Sequence, residues 1–130
     1  MGDPVAAVTD RSDLAERDYC YLTTTGRRTG HPHTIEIWFA VRDDVLYLLS
    51  GNGDQVDWVK NLLANPTVGL RLGEQDMITQ ARVVTDDEED ALARRLLLDK
   101  YAPRSSDPLT EWAATALPIA IAIQGDVPPY

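Results

Sequence analysis

The sequence predicts an α+β fold that is mainly β, a small antiparallel barrel with short flanking helices. Three features carry this expectation. Residues Tyr19 to Thr24 and Thr34 to Arg42 alternate with period two and are rich in β-branched and aromatic side chains, as strands with two distinct faces are. Asp43-Asp44 then separates the second run from a third apolar run, Val45 to Ser50, which gives a hairpin. Helical spacing of apolar residues is confined to short segments between the strands.

Taken in order, residues 1–17 read as a tail followed by a short helix from Asp13. In the first strand Tyr19, Tyr21 and Thr23 share one face, and Cys20, Leu22 and Thr24 the other. Gly26 and Gly30 break it, glycine being the residue that reaches positive φ without strain. In the strand from Thr34 to Arg42, Ile35, Ile37, Phe39 and Val41 form one face and Thr34, Glu36, Trp38 and Ala40 the other, so both sides have something to bury. Ser50-Gly51-Asn52-Gly53 ends the return strand, and Asp54 is placed to cap a helix over residues 55–64. Val59, Leu62 and Leu63 take core spacing on that helix, Asn61 shares a face with Trp58, and Pro66 stops it. Thr67–Leu72 and Met77–Val84 form a second hairpin around residues 73–76. Thr85-Asp86-Asp87-Glu88 has the form of a capping box, which accounts for the acidic run 86–90 at a helix N-terminus. That helix turns Leu92, Leu96 and Leu97 inward and ends near Tyr101. A loop over 104–109, a helical turn at Thr110–Thr115 and a last strand Ile119–Ile123 close the barrel, and 124–130 read as a flexible tail.

A chain of 130 residues supports one hydrophobic core, hence one domain. The apolar run near Leu117–Ile123 contains Pro118 and falls far short of the roughly 20 residues that span a bilayer. Acids in MGDPVAAVTDRSDLAERD stand where a secretory leader would be basic and apolar, so the expected location is cytoplasmic. The single Cys20 excludes an intrachain disulfide. A formal net charge of −9 excludes nucleic acid and anionic membrane surfaces as partners. Against that background Arg27, Arg28, His31 and His33 stand together without an intervening acid. A basic island in an acidic chain suits one small anion, and the two glycines offer backbone N–H groups for an anion-binding nest. The alternative is a solvated hairpin loop.

Other chemistries fit less well. His31 and His33, two apart with no cysteine nearby, make a poor metal pair. No G-x-S-x-G elbow is present, and the glycine loop matches neither the phosphate-loop nor the dinucleotide spacing. Trp38 and Trp58 read singly as core residues. Asn61 is harder to place, because a buried amide needs partners. Backbone carbonyls near Ser50 or a ligand could supply them.

The order T-T-T-G-R-R-T-G-x-P, an alternating hairpin, and then L-L-S-G-N-G-D-x-x-D-W-V-x-N-L-x-A-N-P resembles the deazaflavin-dependent nitroreductase family. Its members are split β-barrel flavin and deazaflavin oxidoreductases, related in fold to pyridoxamine phosphate oxidase and the FMN-binding barrels. The resemblance runs from about Tyr19 to Ile123 and includes W-x-x-x-x-L-P-I at Trp112–Ile119. It implies coenzyme F-420, a 5-deazaflavin with a phosphodiester and an oligoglutamate tail. It also implies hydride transfer from reduced F-420 to a nitro, quinone or other unsaturated small molecule. Carried over, Arg27 and Arg28 meet the phosphate. His33 stands where many members have arginine, implying a weaker or pH-dependent hold on the tail. Ile35, Glu36 and Trp38 fall on the strand lining the ring, Glu36 where a proline is common. Ser50 and Gly51 match the small residues under the ring, and Trp58 and Asn61 the helix that covers it. Tyr101 is the candidate proton donor, with solvent as the alternative, while Arg104–Leu109 lacks the tyrosines that some members place around the substrate.

Two rival readings remain at this level. One is an FMN-binding oxidoreductase on the same barrel, or a haem- or biliverdin-handling relative, since the basic pair would serve an FMN phosphate equally. The other is a carrier of a small apolar molecule without catalysis. A homodimer is compatible with each, as split barrels often pair through their sheets.

Overall fold

The structure, a computed structural model, describes residues 14–123. From Cys20 to Ala122 the described elements are, in order, β1 (Cys20–Thr25), β2 (Pro32–Ile37), β3 (Ala40–Arg42), β4 (Val45–Ser50), α1 (Asp57–Ala64), β5 (Thr67–Leu72), β6 (Gln75–Val83), α2 (Asp87–Tyr101), α3 (Thr110–Thr115) and β7 (Leu117–Ala122). Every pairing is antiparallel, and the order across the sheet is β2-β1-β5-β6-β7-β4-β3.

That order forces the sheet to curl. Only Trp38 and Phe39 separate β2 from β3, yet the two strands lie at opposite edges. A flat sheet of this width would hold its edges apart by roughly 29 Å, six gaps of about 4.8 Å. The chain from Ile37 to Ala40 reaches about 11 Å at most. The edges therefore approach one another, and the sheet becomes a split barrel. β6 makes the turn on the far side: residues 75–80 pair with β5, and Ala81, Arg82 and Val83 pair with β7.

Curling divides the apolar residues into two layers. Cys20, Leu22, Phe39, Leu46, Leu48, Val68, Leu70, Ile119 and Ile121 fill the barrel, joined by Leu62 from α1. Tyr47, Leu49, Val84, Ala93, Leu97, Tyr101 and Ala120 form a second layer, where α2 and α3 cover the outside of the β3-β4-β7 half. β4 explains why its run is apolar on both faces: Leu46 and Leu48 face one layer, Tyr47 and Leu49 the other.

The bend at Trp38–Phe39 is held from α2. The Tyr101 hydroxyl accepts the Phe39 N–H at 3.0 Å. Its single proton is shared between the carbonyls of Asp18, 2.8 Å away, and Phe39, 3.0 Å away. Trp38 stacks on the Tyr101 ring with centroids 4.2 Å apart. Lys100 donates to the Phe39 carbonyl at 2.9 Å and lies 3.7 Å above the Phe39 ring. Burial and the neighbouring Arg104 bring the Lys100 pKa down to about 8.

Several expected boundaries move. The strand expected over Thr34–Arg42 is two strands, because one straight strand cannot serve both edges of a closed sheet. Asp54 lies in a 3-10 turn, Gly53–Gln55, and α1 begins at Asp57 with Val56 at the cap position and no side-chain cap. The cap of α2 is Asp86, whose carboxylate accepts the Glu89 N–H at 2.9 Å, one residue later than the expected Thr85. The last strand starts at Leu117, one residue before Pro118, whose carbonyl accepts the Val84 N–H at 3.0 Å. Leu14 and Ala15 are helical. The start of the helix expected from Asp13 and the 124–130 tail lie outside the described residues.

Two predictions concern stability. Tyr101→Phe leaves the buried Phe39 N–H without its acceptor and should lower unfolding free energy by about 1–3 kcal/mol, measured by urea denaturation. Glu89 accepts from Arg82 at 2.8 Å on each oxygen and from Tyr47 at 2.7 Å. These partners pull its pKa from 4.5 to about 2. A carboxylate depressed on folding contributes stability above its unfolded value and loses it as pH falls towards the folded one. Stability should therefore drop between pH 4.5 and about 2, and Glu89→Gln should flatten that drop in thermal melts.

Candidate functional site

The β1–β2 hairpin loop and α1 enclose a groove of about 770 Å³, lined by residues that include Arg27, Arg28, His31, His33, Ile35, Trp58 and Asn61. Its shape starts with the loop's own hydrogen bonds. Gly26 donates to the His31 carbonyl and accepts from Gly30, each at 2.8 Å, and His31 donates to Thr29 Oγ1 at 3.2 Å. Gly30 has φ +79°, which glycine adopts without strain. Gly26 is needed for space instead, since a Cβ there would come within 2.9 Å of His33 Nε2 and 3.1 Å of the His31 carbonyl.

The next amide is also committed. Arg27 N–H donates to Asn61 Oδ1 at 3.1 Å, and its guanidinium donates to the same oxygen at 2.9 Å. A second guanidinium nitrogen reaches Asp57 at 3.3 Å. Asn61, 3 % exposed, donates in turn to Thr24 Oγ1 at 3.3 Å. The buried amide is thus satisfied by Arg27 and Thr24, neither of the two sources expected from the sequence. The loop's backbone is partly committed: Gly26, Arg27, Gly30 and His31 spend their N–H groups inside the protein.

The side chains lining the groove are suited to an anion joined to a flat apolar group. Arg28 is exposed and makes no ion pair or hydrogen bond among the described residues. His31 and His33 stand exposed beside it. The one acid lining the groove, Asp57, is already paired with Arg27. Ile35 and Trp58 form an apolar floor and pack against the barrel core.

Of the residues singled out in the sequence, Arg27, Arg28, His33, Ile35, Trp58 and Asn61 come together here. Four others gather elsewhere, and one faces away. Trp38 lies between Tyr101 and Trp112, meeting the latter edge-on with centroids 5.6 Å apart. Gly51 sits against Trp112, whose Cδ1 would be 3.6 Å from an added Cβ. Ser50 is buried and donates to the Gly53 carbonyl at 2.7 Å. Tyr101 is 1 % exposed, its hydroxyl is committed to the backbone of Asp18 and Phe39, and burial pushes its pKa up to about 12. A group so placed pins the fold and is poorly suited to donate a proton to a substrate. Glu36 lies on the outer face of β2, where its carboxylate accepts from the Tyr21 hydroxyl at 3.0 Å. Asp57 and Thr24 were not picked out in the sequence. Asp57 had one available signal, its position four residues before Asn61 on a helix, which places both on one face.

Comparison with known proteins then decides the class. Residues 6–123 match the F420H2-dependent quinone reductase family. The chain belongs to that family. The reductase is an F-420-dependent oxidoreductase, and coenzyme F-420 is its cofactor. Among solved structures it is similar to an F420-H2 dependent reductase at 21% identity, covering 82% of this chain and 94% of that one with a TM-score of 0.65. A domain-swapped dimer aligns at 19% identity over 92% and 99% of the two chains, TM-score 0.65. A candidate pyridoxamine 5'-phosphate oxidase from Listeria innocua aligns at 16% over 88% and 92%, TM-score 0.64. At these identities the likeness establishes the split-barrel fold.

Gly26→Ala tests the loop. The added Cβ must displace His33 and the His31 carbonyl that accepts the Gly26 N–H, so affinity for F-420 should fall severalfold and the melting temperature should drop with it. Fluorescence titration and a thermal melt of the same sample check both halves.

Proposed function

We propose that the reductase binds F-420 along the groove between the β1–β2 loop and α1 and reduces a quinone-type small molecule. The observation that carries this reading is the uncompensated Arg28 beside a fixed Arg27, above the apolar floor of Ile35 and Trp58. When bound, reduced F-420 supplies a hydride from its deazaflavin ring, the chemistry belonging to the cofactor. The protein's share is placement and electrostatics. Arg28, Arg27 and His33 take the phosphodiester and the acidic tail, charge-assisted hydrogen bonds being the strong ones. Ile35 and Trp58, packed against the barrel core, would offer the flat ring an apolar surface that excludes water. Ser50 and Gly51 lie outside the groove lining, on the segment that leads into α1, with Trp112 against Gly51. With Tyr101 committed to the fold, the proton that completes reduction comes from solvent.

Among the described residues no helix is long and apolar enough to cross a membrane, in keeping with a cytoplasmic enzyme acting on dissolved small molecules. The likeness to a domain-swapped dimer supports a homodimer as the assembly to look for by sedimentation.

Titration of the purified apoprotein with F-420, beside FMN, tests the proposal. Saturable F-420 binding in the micromolar range should be lost in the Arg27→Ala/Arg28→Ala double variant, with F-420H2-driven reduction of a soluble quinone lost in parallel. Tighter binding of FMN than of F-420, or binding indifferent to both arginines, would overturn it.

A further inference from the structure

Taking the groove as the F-420 site, as proposed above, we infer that Asn61 is a positioning residue that acts on the cofactor through Arg27 without contacting it. Asn61 lies on the buried face of α1 and is 3 % exposed. Its oxygen accepts two N–H groups from one residue, the backbone amide and a guanidinium nitrogen of Arg27. Only the oxygen end of the amide can do this, so the arginine fixes which way the side chain faces. The nitrogen end turns to Thr24 Oγ1, itself 1 % exposed on β1. With both lone pairs engaged, the oxygen has no capacity left for a ligand.

One Nδ2 hydrogen of Asn61 remains beside the bond to Thr24, and the charged donors that remain belong to Arg27. A guanidinium carries five N–H donors; one goes to Asn61 and one to Asp57, leaving three. Both contacts come from a single face of α1, one turn apart, so the guanidinium is held at two nitrogens and its backbone at a third point. An arginine ordered in advance need not lose its freedom when the anion arrives, which strengthens binding without a new contact. The same arrangement explains a polar side chain among the buried residues of α1. Replacing it by an apolar residue would leave the Arg27 amide unpaired and its side chain loose.

A double-mutant cycle on F-420 affinity distinguishes action through Arg27 from direct contact. Asn61→Ala should weaken binding about tenfold in the native background and change it little in the Arg27→Ala background. Equal losses in both backgrounds would overturn the inference. Hydrogen exchange at the Arg27 amide, measured without cofactor, should be slow in the native protein and fast in Asn61→Ala. Should Asn61→Ala fail to fold, Thr24→Val removes the hydroxyl that orients Asn61 while keeping shape. It should raise exchange at Arg27 and weaken F-420 binding, and unchanged values for both would refute the relay. Failure of the native protein to bind F-420 would count against the groove as cofactor site, whereas unprotected Arg27 exchange would count against the clamp itself.

Discussion

Closure of the sheet through two residues is the constraint on which the rest depends. Trp38 and Phe39 carry the chain from one edge of a seven-stranded sheet to the other, so β2 and β3 can exist together only if the sheet curls. Curling creates an inside, which the alternating residues of β1, β4, β5 and β7 fill, and an outside, which α2 and α3 must cover. The kink exposes the backbone of Phe39 to the interior, where an unpaired N–H or carbonyl is costly. Tyr101 and Lys100 meet that need from the end of α2. The helix that packs the outer layer thus also secures the closure of the inner one.

The groove follows from the same closure. β2 is an edge strand, so the loop that joins it to β1 is not covered by a further strand and stands against α1 instead. There the chain places a committed arginine, a free arginine and two imidazoles over Ile35 and Trp58. The acidic character of the chain as a whole sharpens this contrast, since an anion finds few other attractive places on its surface.

Much of this was legible in the sequence because it rests on local rules. Period-two alternation located β1 and the run that holds β2 and β3, and the β4 hairpin followed from Asp43-Asp44. The basic loop stood out as charge without neighbouring acid. What could not be read depends on contacts between distant residues. Alternation continues smoothly from Thr34 to Arg42, and nothing local says that Trp38–Phe39 is a corner; the corner follows from the strand order. The commitment of Tyr101 is hidden for the same reason, because its hydroxyl bonds backbone groups 62 and 83 residues away in sequence. Asn61 was rightly suspected of needing a polar partner, but that partner is Arg27, 34 residues earlier. Glycines in the loop suggested free N–H groups, whereas the loop folds back and spends them on itself.

That last feature separates what makes the loop stable from what makes it selective. Since Gly26, Gly30, Thr29 and the His31 backbone hold the turn by themselves, Arg28 and the imidazoles of His31 and His33 project from a scaffold that does not need them. Exchanges at such exposed positions are close to neutral for folding. Evolution can therefore retune the charge offered to a ligand, one side chain at a time, without first finding a compensating change in the barrel.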